Sequence, residues 1–106
     1  MKVNLQKEIK AITEQIIRKY KPEKIILFGS AVNGNFTTDS DLDFLIVKKN
    51  IPYFGRERAR ELRRLIKKKI AADFLIYQPE EFNKYLNLDD PFLKAIVKEG
   101  KILYDS

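Results

Sequence analysis

Two aspartates one residue apart, Asp41 and Asp43, follow the dipeptide Gly29-Ser30 with ten residues between. The residues after and among the acids, Leu42, Phe44, Leu45, Ile46 and Val47, are apolar and β-prone, so Asp41 to Val47 reads as a strand. Alternate side chains of a strand share a face. Asp41 and Asp43 therefore project together, their Cα atoms roughly 7 Å apart. Two carboxylates on one face offer hard oxygen ligands to a cation such as Mg²⁺. Gly29 lets an anion come close to the backbone, and Ser30 adds a hydroxyl donor. The combination reads as a site for a nucleoside triphosphate and its metal.

Each piece has a plainer reading. Acids after Thr37-Thr38 commonly mark no more than a polar turn at a strand start, and a glycine after a strand is usually only a turn. Asp73 shifts the balance. It enters another apolar run, Ala71 to Tyr77, in phase with Leu75 and Tyr77, as Asp43 does with Leu45 and Val47. Burying unpaired carboxylates is costly, so three acids entering one sheet edge suggest a shared cation. The plain alternative for Asp73 is a strand-end acid that meets water or a lysine. Gly34 reads as the turn that folds the loop back.

Other elements must hold these residues in place. Leu5, Ile9, Ile12 and Ile16 recur at helical spacing, which predicts a helix over residues 4–20, closed by Pro22. Lys24 to Phe28 predicts a buried strand, and residues 29–40 predict mostly turn and loop. A helix is expected over 53–70, with Ala59, Leu62, Leu65, Ile66 and Ile70 inward. Arg56, Arg60, Arg63, Arg64, Lys67 and Lys68 cover most of its remaining surface. Pro79-Glu80-Glu81 and Asp90-Pro91 each open a further helix, Gly100 ends the last one, and Lys101 to Tyr104 predicts a final strand. About ten residues join the first two strands. That is too short for a crossover helix, so the two are expected to be antiparallel neighbours. The fold class is α+β: a mixed sheet of about four strands covered by helices, in a single domain over residues 1–106.

Composition narrows the chemistry further. The chain has 106 residues, no cysteine and no histidine, and a formal net charge of +6. Disulfides, thiolate sites, a Ser-His-Asp triad and histidine base chemistry are all excluded. Catalysis here rests on carboxylates, hydroxyls, Lys or Arg, and a metal. No apolar stretch approaches a membrane span and the N-terminus carries no apolar signal core, so a cytoplasmic protein without a membrane partner is expected. The basic helix invites a nucleic-acid reading. The sequence shows no exposed aromatics interleaved with its charges for base stacking, so direct nucleic-acid binding is not expected. Apolar faces at 5–17 and 92–97 are candidate contact patches, although core packing accounts for most of them.

The spacing of Gly29-Ser30 and Asp41-Leu42-Asp43 resembles the Gly-Ser-x10-Asp-x-Asp signature of the DNA polymerase β-like nucleotidyltransferases. The similarity spans nearly the whole chain, through Ile26 to Ser30, Ser40 to Val47, Ala72 to Leu75 and Glu99 to Tyr104. The size resembles the minimal nucleotidyltransferases, antitoxins encoded beside HEPN toxins. The loop departs from the family pattern at Ala31-Val32-Asn33-Gly34, where many members carry an arginine.

The resemblance implies that Asp41, Asp43 and Asp73 are catalytic and bind metal, as two Mg²⁺ ions. Gly29 and Ser30 would bind nucleotide. It implies transfer of AMP from ATP to a hydroxyl, with pyrophosphate released, the acceptor being a tyrosine of a cognate HEPN toxin. Two alternatives stand beside it: a non-catalytic antitoxin that masks its toxin, and a transferase for a small molecule or an RNA 3′ end.

Overall fold

The computed structural model describes residues 4–106. The elements run α1 (Leu5–Tyr20), β1 (Lys24–Phe28), α2 (Ser30–Asn33), β2 (Leu42–Val47), α3 (Gly55–Leu65), β3 (Ala72–Tyr77), α4 (Pro79–Asn87), α5 (Pro91–Glu99) and β4 (Lys101–Asp105). The four strands form one mixed sheet in the order β3-β2-β1-β4. As expected, β1 pairs antiparallel with β2; it also pairs antiparallel with β4, while β2 and β3 are parallel.

Alternation along the strands splits the core in two. Ile25, Leu27, Leu42, Phe44, Ile46, Phe74 and Ile76 pack with Ile9, Ile12 and Ile16 of α1 and Leu62 of α3. Ile26, Leu45, Val47, Phe82, Leu93 and Ile96 form a smaller core under α4 and α5, flanked by Phe28, Leu75 and Tyr77. The sheet thus lies between two helical layers. Asp43 and Asp73, in phase with Leu45 and Leu75, belong to the face of α4 and α5.

The helix ends follow local chemistry. The Asn4 side chain accepts the Lys7 N–H to cap α1, and Asp90 Oδ1 accepts from Phe92 and Leu93 N–H at 2.9 and 3.2 Å to cap α5. Gln78 and Glu81 form a capping box around Pro79 at the start of α4. Gly100 ends α5 in an ordinary extended conformation. Its lack of a side chain serves packing, since a Cβ there would come within 2.7 Å of Ile26 Cγ2 and 3.0 Å of Leu27 O.

Residues 29–40 are mostly turn and loop, as expected, but 30–33 close into one turn of helix, because the Gly29 carbonyl accepts the N–H groups of Val32 and Asn33 at 3.0 and 3.1 Å. One expectation fails. The helix expected over 53–70 stops at Leu65, and Ile66 is already extended. Side chains of α1 capture the backbone that would continue it. Lys19 donates to Leu65 O, Gln15 bonds both the N–H and the carbonyl of Lys67, and the buried Glu8 carboxylate accepts the N–H groups of Lys69 and Ile70. Tertiary hydrogen bonds outcompete helical ones here, and they fix the loop that leads into β3 and Asp73.

Candidate active site

The topology gathers the sequence motifs at one edge of the sheet. The last residue of β1, Phe28, is opposite Asp43 of β2, and Asp43 is opposite Asp73 of β3. Neighbouring strands lie about 4.8 Å apart and paired residues share a face, so the Asp43 and Asp73 side chains leave the sheet side by side. Asp41 sits one residue before the first ladder pair, Leu42 with Ala72. Asp41 and Asp73 are exposed, and Asp43 is half-buried.

The electrostatics register this crowding. The Asp43 carboxyl is pushed above its ordinary pKa, first by burial and then by the negative charges of Asp73 and Asp41. Among the described residues no positive side chain offsets that shift. Gly29 explains how the Asp43 carboxylate fits against β1. At φ 78° and ψ −151°, Gly29 holds a conformation open essentially only to glycine, and a Cβ there would run into the Asp43 carboxylate. Ser30 follows at once, half-buried and opening α2, and Gly34 closes that turn by donating its N–H to Ser30 O.

The structure therefore brings Gly29, Ser30, Asp41, Asp43 and Asp73 to one edge. It does not close them into a cage. Among the described residues, no three His, Cys, Asp or Glu side chains converge at metal-ligating distance. Asp41 and Asp73 are exposed, so rotation about their side-chain bonds is open to them.

Sequence reading missed a cleft beside this edge. About 630 Å³ in volume, it is lined by Phe28, Gly29, Val32, Phe92, Ile96 and Glu99, among others. The Phe28 and Phe92 rings meet edge to face at 6.0 Å between centroids. The cleft arises because β4 pairs with β1 and delivers the C-terminal end of α5 to the same side as Gly29. The sequence signal for it was slight: the apolar positions of α5 outnumber those its inward face needs.

The chain is similar to known proteins along nearly its whole length. Residues 7–106 match the family described as Polymerase beta, Nucleotidyltransferase. The chain is 33% identical over 104 residues to a Methanocaldococcus jannaschii protein that carries the name "Putative protein adenylyltransferase". That alignment covers 96% of this chain and all of the relative. A second protein of the same name and organism is 27% identical, over 94% of this chain and 74% of its own. A crystal structure of a "putative nucleotidyltransferase" from Sulfolobus solfataricus shares the fold, with a TM-score of 0.61 and 19% identity over 98% of this chain and 90% of that one. No helix among the described residues is long and apolar enough to cross a membrane. A signature-bearing sheet edge and a match from residue 7 to the last residue lead to one conclusion: the chain belongs to the polymerase beta nucleotidyltransferase family.

Proposed function

We propose that this nucleotidyltransferase moves AMP from ATP to a hydroxyl group of a protein, with Asp41, Asp43 and Asp73 as its catalytic carboxylates. The observation that carries the reading is the register of Asp43 against Asp73 beside Gly29, with Asp43 raised in pKa by burial and then by its acidic neighbours. A protein acceptor is supported by the names of the two archaeal relatives.

The donor set fits a divalent cation. Three carboxylates supply hard oxygen ligands, and the repulsion that adds to burial in raising Asp43 is the kind a cation relieves. Asp41 and Asp43 would hold two Mg²⁺ ions, with Asp73 on one of them. Bound metal supplies charge stabilisation at the α-phosphate and orients the displacement. The Gly29 backbone and the Ser30 hydroxyl hold the β- and γ-phosphates. Asp73, exposed at the mouth, accepts the proton of the incoming hydroxyl as its oxygen bonds to the α-phosphorus. The bond from that phosphorus to the bridging oxygen of the β-phosphate breaks, and pyrophosphate leaves.

For the acceptor we propose a tyrosine of a cognate HEPN-domain toxin. The support is resemblance to the minimal nucleotidyltransferases, together with the small extent of an edge site that leaves room for a partner to complete it. The test is incubation with Mg²⁺ and α-labelled ATP, with and without the product of the neighbouring gene. Label on that partner, lost with Asp43→Asn in a variant that still folds, is the expected result. A tight complex without label would replace transfer by masking of the toxin, and retained transfer by Asp43→Asn would sink the carboxylate assignment.

A further inference from the structure

We propose that the arginine face of α3, with the Tyr53–Phe54 pair at its start, is a docking surface for single-stranded nucleic acid. Arg56, Arg60, Arg63 and Arg64 recur at intervals of four, three and one, which places them on one stripe of the helix. All four are exposed, opposite the buried Arg58, Ala59 and Leu62. The acids of the helix, Glu57 and Glu61, fall on the adjoining strip. Ion pairs among the described residues join Lys24 to Asp105, Lys49 to Glu23, Arg58 to Glu81 and Lys94 to Asp89, and none involves the stripe. Lys67, Lys68 and Lys69, also exposed, extend the positive charge beyond the helix end.

The aromatics expected to be missing from this surface are present. Tyr53 is 83% exposed and Phe54 60%, and their rings meet edge to face at 5.1 Å. Two adjacent exposed rings forgo the stabilisation that burial would bring. Their backbone is held firmly. Arg58 donates to the carbonyls of Pro52 and Tyr53, and Phe54 O accepts the N–H groups of Glu57 and Arg58. The rings are thus displayed from a fixed platform.

The chemistry favours a nucleic-acid strand over an acidic protein. Guanidinium groups pair with phosphates in a planar, two-pronged geometry, and their spacing of about one helical turn, roughly 5–6 Å, suits anions repeated along a line. A folded protein scatters its carboxylates. Exposed rings beside such a row stack on unpaired bases, which a duplex does not offer. The ring pair adjoins the end of β3 at Ile76, far from Asp43, while α3 runs back toward the start of β3; the proposal does not rest on the function proposed above.

Fluorescence anisotropy of a labelled 16-nucleotide oligouridylate with the full chain tests this from 50 to 300 mM salt. Binding should weaken as salt rises. Arg60→Gln with Arg63→Gln should weaken it about ten-fold at low salt and flatten the salt dependence. Tyr53→Ser with Phe54→Ser should weaken it by a similar factor, about ten-fold, with the salt dependence unchanged. All the substituted side chains are exposed, and thermal melts should match the parent; Tyr53→Leu with Phe54→Leu repeats the test if the serine pair lowers the melt. No binding at 50 mM salt overturns the proposal. So do ring substitutions without effect alongside equal competition by polyglutamate, which would assign the surface to an acidic protein.

Discussion

Asp43 and Glu81 are carboxylates at opposite ends of one sheet, and the protein treats them in opposite ways. Asp43 stands among acids, and burial together with Asp73 and Asp41 raises its pKa. Burial also acts to raise Glu81, but hydrogen bonds from Arg58 and from the Gln78 N–H outweigh it and leave the pKa lowered. Arg58, only 5% exposed, meets Glu81 at 2.8 Å and donates to the Ile76 carbonyl at 3.0 Å, tying the end of β3 to α4. Paired charge is used here to hold elements together. Charge left uncompensated at the other end suits the cation proposed there.

The largest effect should come from the uncompensated end. Asp43→Asn should lower transfer by about 10³-fold or more, since several kcal/mol of charge stabilisation rests on the carboxylates. Glu81→Gln should leave the chemical step intact, measured in the same labelled-ATP assay. Equal loss in both variants would break the comparison.

Next comes the paired end. Arg58→Met removes a buried charge and its bonds to three carbonyls. Glu81 is partly exposed, so water relieves some of the cost, and urea unfolding should show a loss of about 2–3 kcal/mol. Gly29→Ala should cost about 1–3 kcal/mol from backbone strain at φ 78°. It should also lower transfer more than an alanine at exposed Gly34 does, because only the Gly29 Cβ meets the Asp43 carboxylate.

The smallest effects are in pH dependence, and their signs are opposite. The folded pKa of Asp43 lies above its unfolded value, so its unfavourable contribution is absent below the unfolded pKa and grows as pH rises through the folded one. Asp43→Asn should therefore melt slightly higher than the parent at pH 7, with the difference vanishing near pH 3. The folded pKa of Glu81 lies below its unfolded value, so its stabilisation is present above about pH 4.5 and is lost as pH falls through the folded pKa. Glu81→Gln should melt lower at pH 7 and converge on the parent in acid. Millimolar Mg²⁺ should raise the melt of the parent more than that of Asp43→Asn.

A contrast within the paired end is also informative. The Tyr20 hydroxyl is buried without a hydrogen-bond partner among the described residues, and its pKa is pushed up to about 12, chiefly by burial and further by Glu61.

Much of this was legible in the sequence. The spacing of Gly29, Ser30, Asp41 and Asp43 reports local geometry, because strand alternation acts within a few residues. The capping residue Asp90 and the antiparallel pairing of β1 with β2 are local in the same sense. Arg58 escaped notice, although it stands four residues before Leu62 and in phase with the apolar stripe. Charge suggested a surface position, while the carboxylate and carbonyls that made burial affordable came from residues 52, 53, 76 and 81.

The sequence by itself determined the family, the strands that carry the acids, and the face from which each acid leaves its strand. Only the tertiary structure decided that Asp43 meets Asp73 in register, that α3 ends at Leu65 under the pull of α1, and that Tyr53 and Phe54 stand in solvent. The division has a physical cause. Periodicity and capping act over a turn or a few strand residues, whereas strand order, hydrogen-bond competition and burial depend on partners distant in the chain.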